Sequence, residues 1–165
     1  ESTIVSHPAG VVVAVIRSVA GPVFVSRSKD QGKTWSQPAN TGFTGAPLHA
    51  LCLRSGLIVC TYADRWNTGS FRATTSSDGG QTWQHERTKV LHGGLPKPRT
   101  RLSGPGQWLG GTGTAQLSDG RIFVFYSVPD VRNLKELDTA KTTKGHSYVA
   151  GNIVTEAFLS GDLSD

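Results

Sequence analysis

The sequence predicts an all-β chain assembled from small antiparallel sheets in repeat, and three observations carry that prediction. Its 165 residues include 20 Gly and 8 Pro, with few helix-favouring runs, which is the punctuation of many short strands and tight turns. An eight-residue pattern, S-x-D-x-G-x-T-W, occurs twice, as Ser28–Trp35 and Ser76–Trp83, with Asp30 and Asp78 lying 48 positions apart. Three short apolar runs, Gly10–Ile16, Gly56–Tyr62 and Gly120–Tyr126, each open on a turn glycine, and spacings of this order are those of repeat architectures.

The elements follow in order. Each apolar run reads as a central strand of a stacked sheet, because it is apolar on both faces. Before each turn glycine lies another strand, at Thr3–Ser6, His49–Leu53 and Thr112–Leu117. After each run a third strand is expected, at Val23–Ser26, Phe71–Thr75 and Ile153–Leu159. In the octapeptides, Asp and the hydroxyl residues fold back on backbone N–H groups to hold a tight turn. The Gly supplies a positive φ, and the Trp offers a large apolar face with one N–H. Ser28, Asp30, Gly32, Thr34 and Trp35, with Ser76, Asp78, Gly80, Thr82 and Trp83, are therefore expected to be structural. The third repeat begins a similar pattern at Ser160-Gly161-Asp162, with Ser164 at the usual Gly position. Turn Gly and box Asp are separated by 20, 22 and 42 residues, so the third repeat carries an insertion, placed at Asp130–Tyr148 with a short helix over Leu134–Ala140. The repeats divide the chain near 1–45, 46–109 and 110–165. Between the last two runs the irregular link Val90–Gly111, with Pro96, Pro98 and Pro105.

Composition excludes some classes of function. With 36% apolar and 18% charged residues, this is a chain that folds around a core. No apolar stretch approaches the ~18 residues of a membrane span. The formal charge of +5 favours anionic partners, but Lys97, Arg99 and Arg101 form its densest patch and no nucleic-acid motif accompanies them. The five His and two Cys show no zinc spacing, so no metal is expected. Cys52 and Cys60 flank the turn at Arg54–Gly56; the repeat places Cys60 with the apolar Ala14 and Val124, and both are read as free thiols. The chain starts at Glu1 and has no Met, so residues preceding it are expected.

The two octapeptides resemble the Asp boxes of sialidases (neuraminidases) and related proteins with BNR repeats. That resemblance implies a β-propeller of four-stranded antiparallel blades, about three of a probable six, with the boxes on the rim and away from the catalytic centre. It implies as partners a glycan substrate and the rest of the propeller, supplied by a further segment of chain or a second subunit. A secreted or periplasmic setting goes with it. The activity implied is that of an exo-acting glycoside hydrolase on a terminal anionic sugar. The alternatives are a non-catalytic carbohydrate- or protein-binding propeller and a related enzyme acting on uronate polysaccharides.

By the same resemblance, the G-x-L-L-A-F-like run of an inner strand ends in a substrate-binding arginine, and Arg65 stands nine residues after Gly56. The equivalent positions in the other repeats hold Val19 and Pro129, so Arg65 is singled out. A guanidinium presents a rigid fork of donors to carboxylate oxygens. Trp66 beside it, and Trp108 further on, are candidates for stacking on a sugar ring. A retaining sialidase uses an arginine triad, a Tyr nucleophile activated by Glu, and an Asp acid/base, and the resemblance thus implies that no cofactor is needed. Tyr148 with Glu156, and Asp64, are the candidates for those last roles. His49 is a candidate base or ligand for the uronate alternative, and His146 is unassigned. The sequence departs from the family where its arginine-isoleucine-proline motif would fall, since Ala46 and Gly110 stand there. No Glu occupies the start of the third inner strand, where Gly111–Gly113 lie.

Overall fold

The computed structural model describes residues 2–18, 21–65, 67–94, 110–129 and 147–162. Its first blade is β1 (Ser2–His7), β2 (Val11–Arg17), β3 (Pro22–Ser28) and β4 (Ala39–Thr44), antiparallel and in sequence order. The second repeats this with β5 (Leu48–Cys52), β6 (Ile58–Asp64), β7 (Ser70–Ser76) and β8 (Lys89–His92). The third has, among the described residues, β9 (Thr112–Gln116), β10 (Ile122–Pro129) and β11 (Ser147–Val154), followed by the short helix α1 (Glu156–Ser160). The expected all-β fold of blades is what forms, and the described sheets do not close on themselves. Among the described residues no helix is long and apolar enough to cross a membrane.

Local chemistry explains why the strands start where they do. Gly10, Gly56 and Gly120 take φ of +76°, +93° and +90° at the turns between first and second strands, a conformation costly for any residue with a Cβ. Alternation along each strand then gives every blade two faces. In the middle blade Ala50, Ile58, Cys60, Tyr62 and Trp83 pack on Val5, Val13, Val15, Val25 and Phe43 of the first. Its opposite face, with Val59, Ala63, Phe71 and Ala73, packs on Ile122, Val124, Tyr126 and Val128 of the third. The central strand of the middle blade is thus buried on both sides, all seven residues of β6 being buried. Near β5, which contacts both β1 and β9, the blades are also joined by hydroxyls. Ala50 N–H donates to Thr3 Oγ1 at 3.4 Å, and Thr61 Oγ1 lies 3.0 Å from Thr114 Oγ1 and 2.8 Å from Thr112 Oγ1. Cys60 is buried, Cys52 half-buried, and both thiols are free.

The third repeat departs from its expected course. Val154 pairs with Ile122 as Ser76 pairs with Ile58 and Ser28 with Val12. Val154 therefore stands where the first two repeats have the leading Ser of their octapeptides, and Glu156 where they have Asp. The strand expected at Ile153–Leu159 is instead the end of β11 plus α1. Thr155 caps the helix by accepting from Phe158 N, and Gly161 ends it at φ +80°. Leu159, 3% exposed, fills the space between the second and third blades. Where the third octapeptide was expected to begin, Asp162 N donates to Ser160 Oγ at 3.3 Å, and residues 163–165 lie outside the described residues. Tyr148 lies in β11 rather than in an insertion, while residues 130–146, with the helix expected at Leu134–Ala140, lie outside the described residues.

The contact between the first two blades has a sharp test. A Cβ on Gly80 would come within 2.7 Å of Val13 Cγ1, whereas one on Gly32 would meet only Trp35 Cζ2, at 3.8 Å. Both glycines have positive φ, 80° and 91°, so the backbone penalty of alanine is shared. Gly80→Ala is expected to lose about 1–3 kcal/mol more than Gly32→Ala, the usual cost of overpacking. Urea melts on dilute protein read the difference, and equal losses would contradict the packing described.

Candidate functional site

The loop joining β6 to β7 begins with Asp64, 4% exposed, and Arg65, 8% exposed. Asp64 organises it. Its carboxylate accepts from Asn67 N (3.3 Å), Asn67 Nδ2 (3.0 Å) and Thr68 Oγ1 (2.8 Å), and pairs with Arg72 at 3.5 Å. Its carbonyl accepts from Gly69 N at 2.9 Å. An ionised carboxylate has room for about four donors, so Asp64 is occupied by its own loop. The next connection packs just as closely. A Cβ on Gly45 would lie 2.1 Å from Tyr62 Cδ2, so only glycine lets the β4–β5 link cross that ring. Arg65 is thereby seated at the end of the sheets opposite the octapeptides.

Below this loop, on the side of the second blade that faces the third, lie the Thr61, Thr112 and Thr114 hydroxyls and His49. Thr61 pairs with His49 across the sheet, four residues before Arg65, or about 13 Å along the strand. Burial lowers the His49 imidazole below its ordinary pKa, so it is neutral at pH 7, and its Nδ1 is buried without a hydrogen-bond partner. The hydroxyl ladder escaped sequence reasoning; its signal is threonine at core-facing positions of strands otherwise apolar.

Two tyrosines belong to the core. Burial pushes the Tyr62 phenol up to about 12, against the effects of Thr88 and Arg72, and its ring stacks on Phe43 at 5.0 Å. Burial, helped by Tyr148 nearby, also raises Tyr126, whose hydroxyl donates to Asn152 and whose ring stacks on Phe71 at 4.5 Å. Neither is poised as a nucleophile. Tyr148 and Glu156 are not brought together: Tyr148 sits near the start of β11 and Glu156 beyond its end, about 20 Å along the strand. Trp66, Trp108, His146 and the basic patch Lys97, Arg99 and Arg101 lie outside the described residues.

At the octapeptide end, a cleft of about 710 Å³ is lined by His7, Gln84, Arg87, Glu156, Ser160 and Asp162 among others. Beside it the two octapeptides form nearly the same turn. Asp30 accepts from Ser28 Oγ (2.8 Å), Thr34 N (2.8 Å) and Thr34 Oγ1 (2.6 Å). Asp78 accepts from Ser76 Oγ (2.8 Å), Gln81 N (2.9 Å), Thr82 N (2.9 Å) and Thr82 Oγ1 (2.6 Å). The Ser hydroxyls accept from Gly32 N and Gly80 N. The tryptophans differ, since Trp83 is 6% exposed and Trp35 40%.

These bonds favour the ionised carboxylates. The hydroxyl and amide of Thr34, then Ser28, hold Asp30 down at about 2. At Asp78 partial burial works the other way, but bonds from Thr82, Ser76 and Gln81 outweigh it and its pKa is lowered too. A carboxyl whose folded pKa lies below its unfolded value stabilises the fold above the unfolded pKa, near 3.8 here, and loses that contribution as pH falls through the folded one. The thermal midpoint is therefore expected to fall between about pH 4 and pH 2. The Asp30→Asn/Asp78→Asn double variant should start lower at neutral pH and fall less; an unchanged acid limb would contradict the turn geometry.

No protein-family model matches the chain, and no curated protein matches it. Solved structures do. A protein of unknown function from Dyadobacter fermentans superposes with a TM-score of 0.63 at 24% identity, over 94% of this chain and 37% of that one. The leech intramolecular trans-sialidase, complexed with 2,7-anhydro-Neu5Ac, gives 0.57 at 16% identity, over 98% of this chain and 24% of that one. The Bacteroides ovatus xyloglucan-locus protein GH43B gives 0.56 at 14% identity, over 92% and 26%. The chain thus spans well under half the length of the structures it matches. At these identities the likeness is one of fold: the chain has a β-propeller fold of the kind found in sialidases and other glycoside hydrolases.

Proposed function

We propose that this chain is part of a sialidase-like propeller that acts as an exo-glycoside hydrolase on glycans ending in an anionic sugar. In this reading the two octapeptides are Asp boxes of the BNR type, Arg65 and Trp66 bind the sugar, and further blades complete the site. The observation that carries it is the placement of Arg65, a nearly buried guanidinium at the ends of the sheets opposite the octapeptides, on a loop fastened by Asp64. A loop so tied loses little freedom when it binds, which is what recognition of a carboxylate by arginine requires. The sialidase neighbour supports the substrate class by its fold alone.

A second reading, a glycan-binding propeller without catalysis, is favoured by one observation. Tyr62 and Tyr126 are core residues with raised pKa values, and Tyr148 is far from Glu156. His49, neutral and half-buried, is the base that uronate chemistry would use. A panel of fluorogenic sialosides and uronic-acid glycosides, assayed on residues 1–165 and on any longer protein that carries them, separates the readings. Sialoside turnover supports the hydrolase, and saturable sialoside binding without turnover supports the binding module. Turnover of uronides alone moves the reading to the uronate enzyme. Neither binding nor turnover by a folded longer protein that carries these residues ends the glycan proposal.

A further inference from the structure

The two seams between blades are closed in different ways. In the first, the octapeptide shuts the gap itself, with Gly80 pressed to Val13 and Trp83 buried. In the second, the register positions of the octapeptide hold Thr155, α1 and Gly161 instead. Leu159 fills the apolar part of that seam, and the cleft of about 710 Å³ remains where α1 faces the second blade. A repeat that breaks its own rule marks a place where function is expected. Glu156 shows the difference most plainly. It stands where Asp30 and Asp78 are saturated by the donors of their own turns. Half-buried in the cleft wall, its carboxylate has no hydrogen-bond or ion-pair partner among the described residues. Thr75 of the second blade is 2% exposed. It pairs with Val59, whose side chain packs toward the third blade, so the Thr75 side chain faces the same seam. Thr75 lines the cleft, and its hydroxyl has no partner among the described residues either. A buried polar group left in that state is costly until something satisfies it.

We propose that this cleft binds an uncharged sugar, at the end of the blades opposite Arg65. Each hydroxyl of a sugar both donates and accepts, and the walls offer partners for both roles. The Glu156 and Asp162 carboxylates accept, the Arg87 guanidinium and the Gln84 amide donate, and the Thr75 hydroxyl does either. Leu57 gives the cleft an apolar surface for the C–H face of a ring. Two carboxylates against one guanidinium disfavour an anion. His7, also in the wall, adds no charge, because its Nδ1 accepts from Ala9 N at 3.2 Å, as only a neutral imidazole can. The volume falls within the roughly 300–1,000 Å³ of small-molecule sites. This site shares no residue with the Arg65 loop and selects the opposite charge character, so it stands apart from the anionic-sugar reading.

Amide-shift titrations of folded protein carrying residues 1–165 test it, with galactose, glucose, lactose and maltose as probes and glycerol and sialic acid as controls. At least one of the four sugars should bind saturably, with a Kd on the order of 1 mM. The shifts should fall at Ser77, Arg87 and Glu156, and not at Asn67 and Gly69 of the Arg65 loop. Thr75→Val keeps the side chain's shape and removes its hydroxyl, and Glu156→Ala removes the carboxylate. Each should weaken binding about tenfold, the loss of one hydrogen bond to the ligand, with circular dichroism retained. Thr75→Val should also melt no lower than wild type, because its hydroxyl bonds nothing in the free protein. No saturation by any of the four sugars below roughly 50 mM overturns the proposal. So does binding that either variant leaves unchanged, shifts confined to the Arg65 loop, or an equal response to glycerol or sialic acid. A longer protein whose own chain fills the cleft overturns it as well.

Discussion

Trp83→Ala is expected to cost about 3–5 kcal/mol of folding stability, the range for deleting a buried aromatic ring. The ring is 6% exposed and meets Phe43 edge-on at 5.7 Å, while Phe43 stacks on Tyr62. Its removal empties the seam between the first and second blades. The indole N–H contributes nothing to the loss, since Nε1 is buried without a partner. Trp83→Phe should therefore recover most of the stability, losing only ring volume and no hydrogen bond. Trp35 holds the same position in its octapeptide, yet it is exposed, and its Nε1 donates to Gly32 O at 3.0 Å. In dilute protein Trp35→Ala should cost about 1 kcal/mol, roughly one net hydrogen bond. Urea melts give the three values, and hydrogen exchange should show the β2 and β3 amides losing protection in Trp83→Ala. Equal costs at Trp83 and Trp35 would mean that the seam does not depend on the ring.

Arg65→Ala is expected to lower sialoside turnover, or affinity if the protein only binds, on the order of 100-fold, the consequence of removing one partner of a desolvated charged contact. Arg65→Lys should recover part of it, because an ammonium keeps the charge without the fork of donors. Asp64→Asn makes the informative companion. It weakens the bonds from Asn67, Thr68 and Arg72 that shape the loop, so it should also lose function, with a fall in thermal midpoint that Arg65→Lys does not show. Full function in Arg65→Ala would remove Arg65 from the site.

Much of this architecture was legible because its chemistry is local. The octapeptide turns close on hydrogen bonds spanning two to four residues, and the turn glycines announce themselves by their place before each apolar run. The fourth strands were not. Ala39–Thr44 and Lys89–His92 are short and lack an apolar signature, and their pairing carries register shifts at Pro22/Phe24 and Phe71/Arg72. In the third repeat the apolar residues of Ile153–Leu159 suit either period, and what decides is Thr155 capping a helix that Gly161 ends. The site was legible only in part. Arg65 stands out by repeat position, but Asp64 was read as a candidate acid because its role depends on Thr68 and Arg72, which only the folded loop brings to it. The Tyr148–Glu156 pairing failed on distance, since nothing in the sequence says that a strand runs between them.

A crystal structure of the protein soaked with sialic acid tests the central claim most directly, because it reports where on the propeller an anionic sugar sits. The account predicts the sugar at the β6–β7 end, its carboxylate against the Arg65 guanidinium. A sugar seated instead among His7, Arg87 and Asp162 in the octapeptide-side cleft would contradict it and move the site to the opposite end of the sheets.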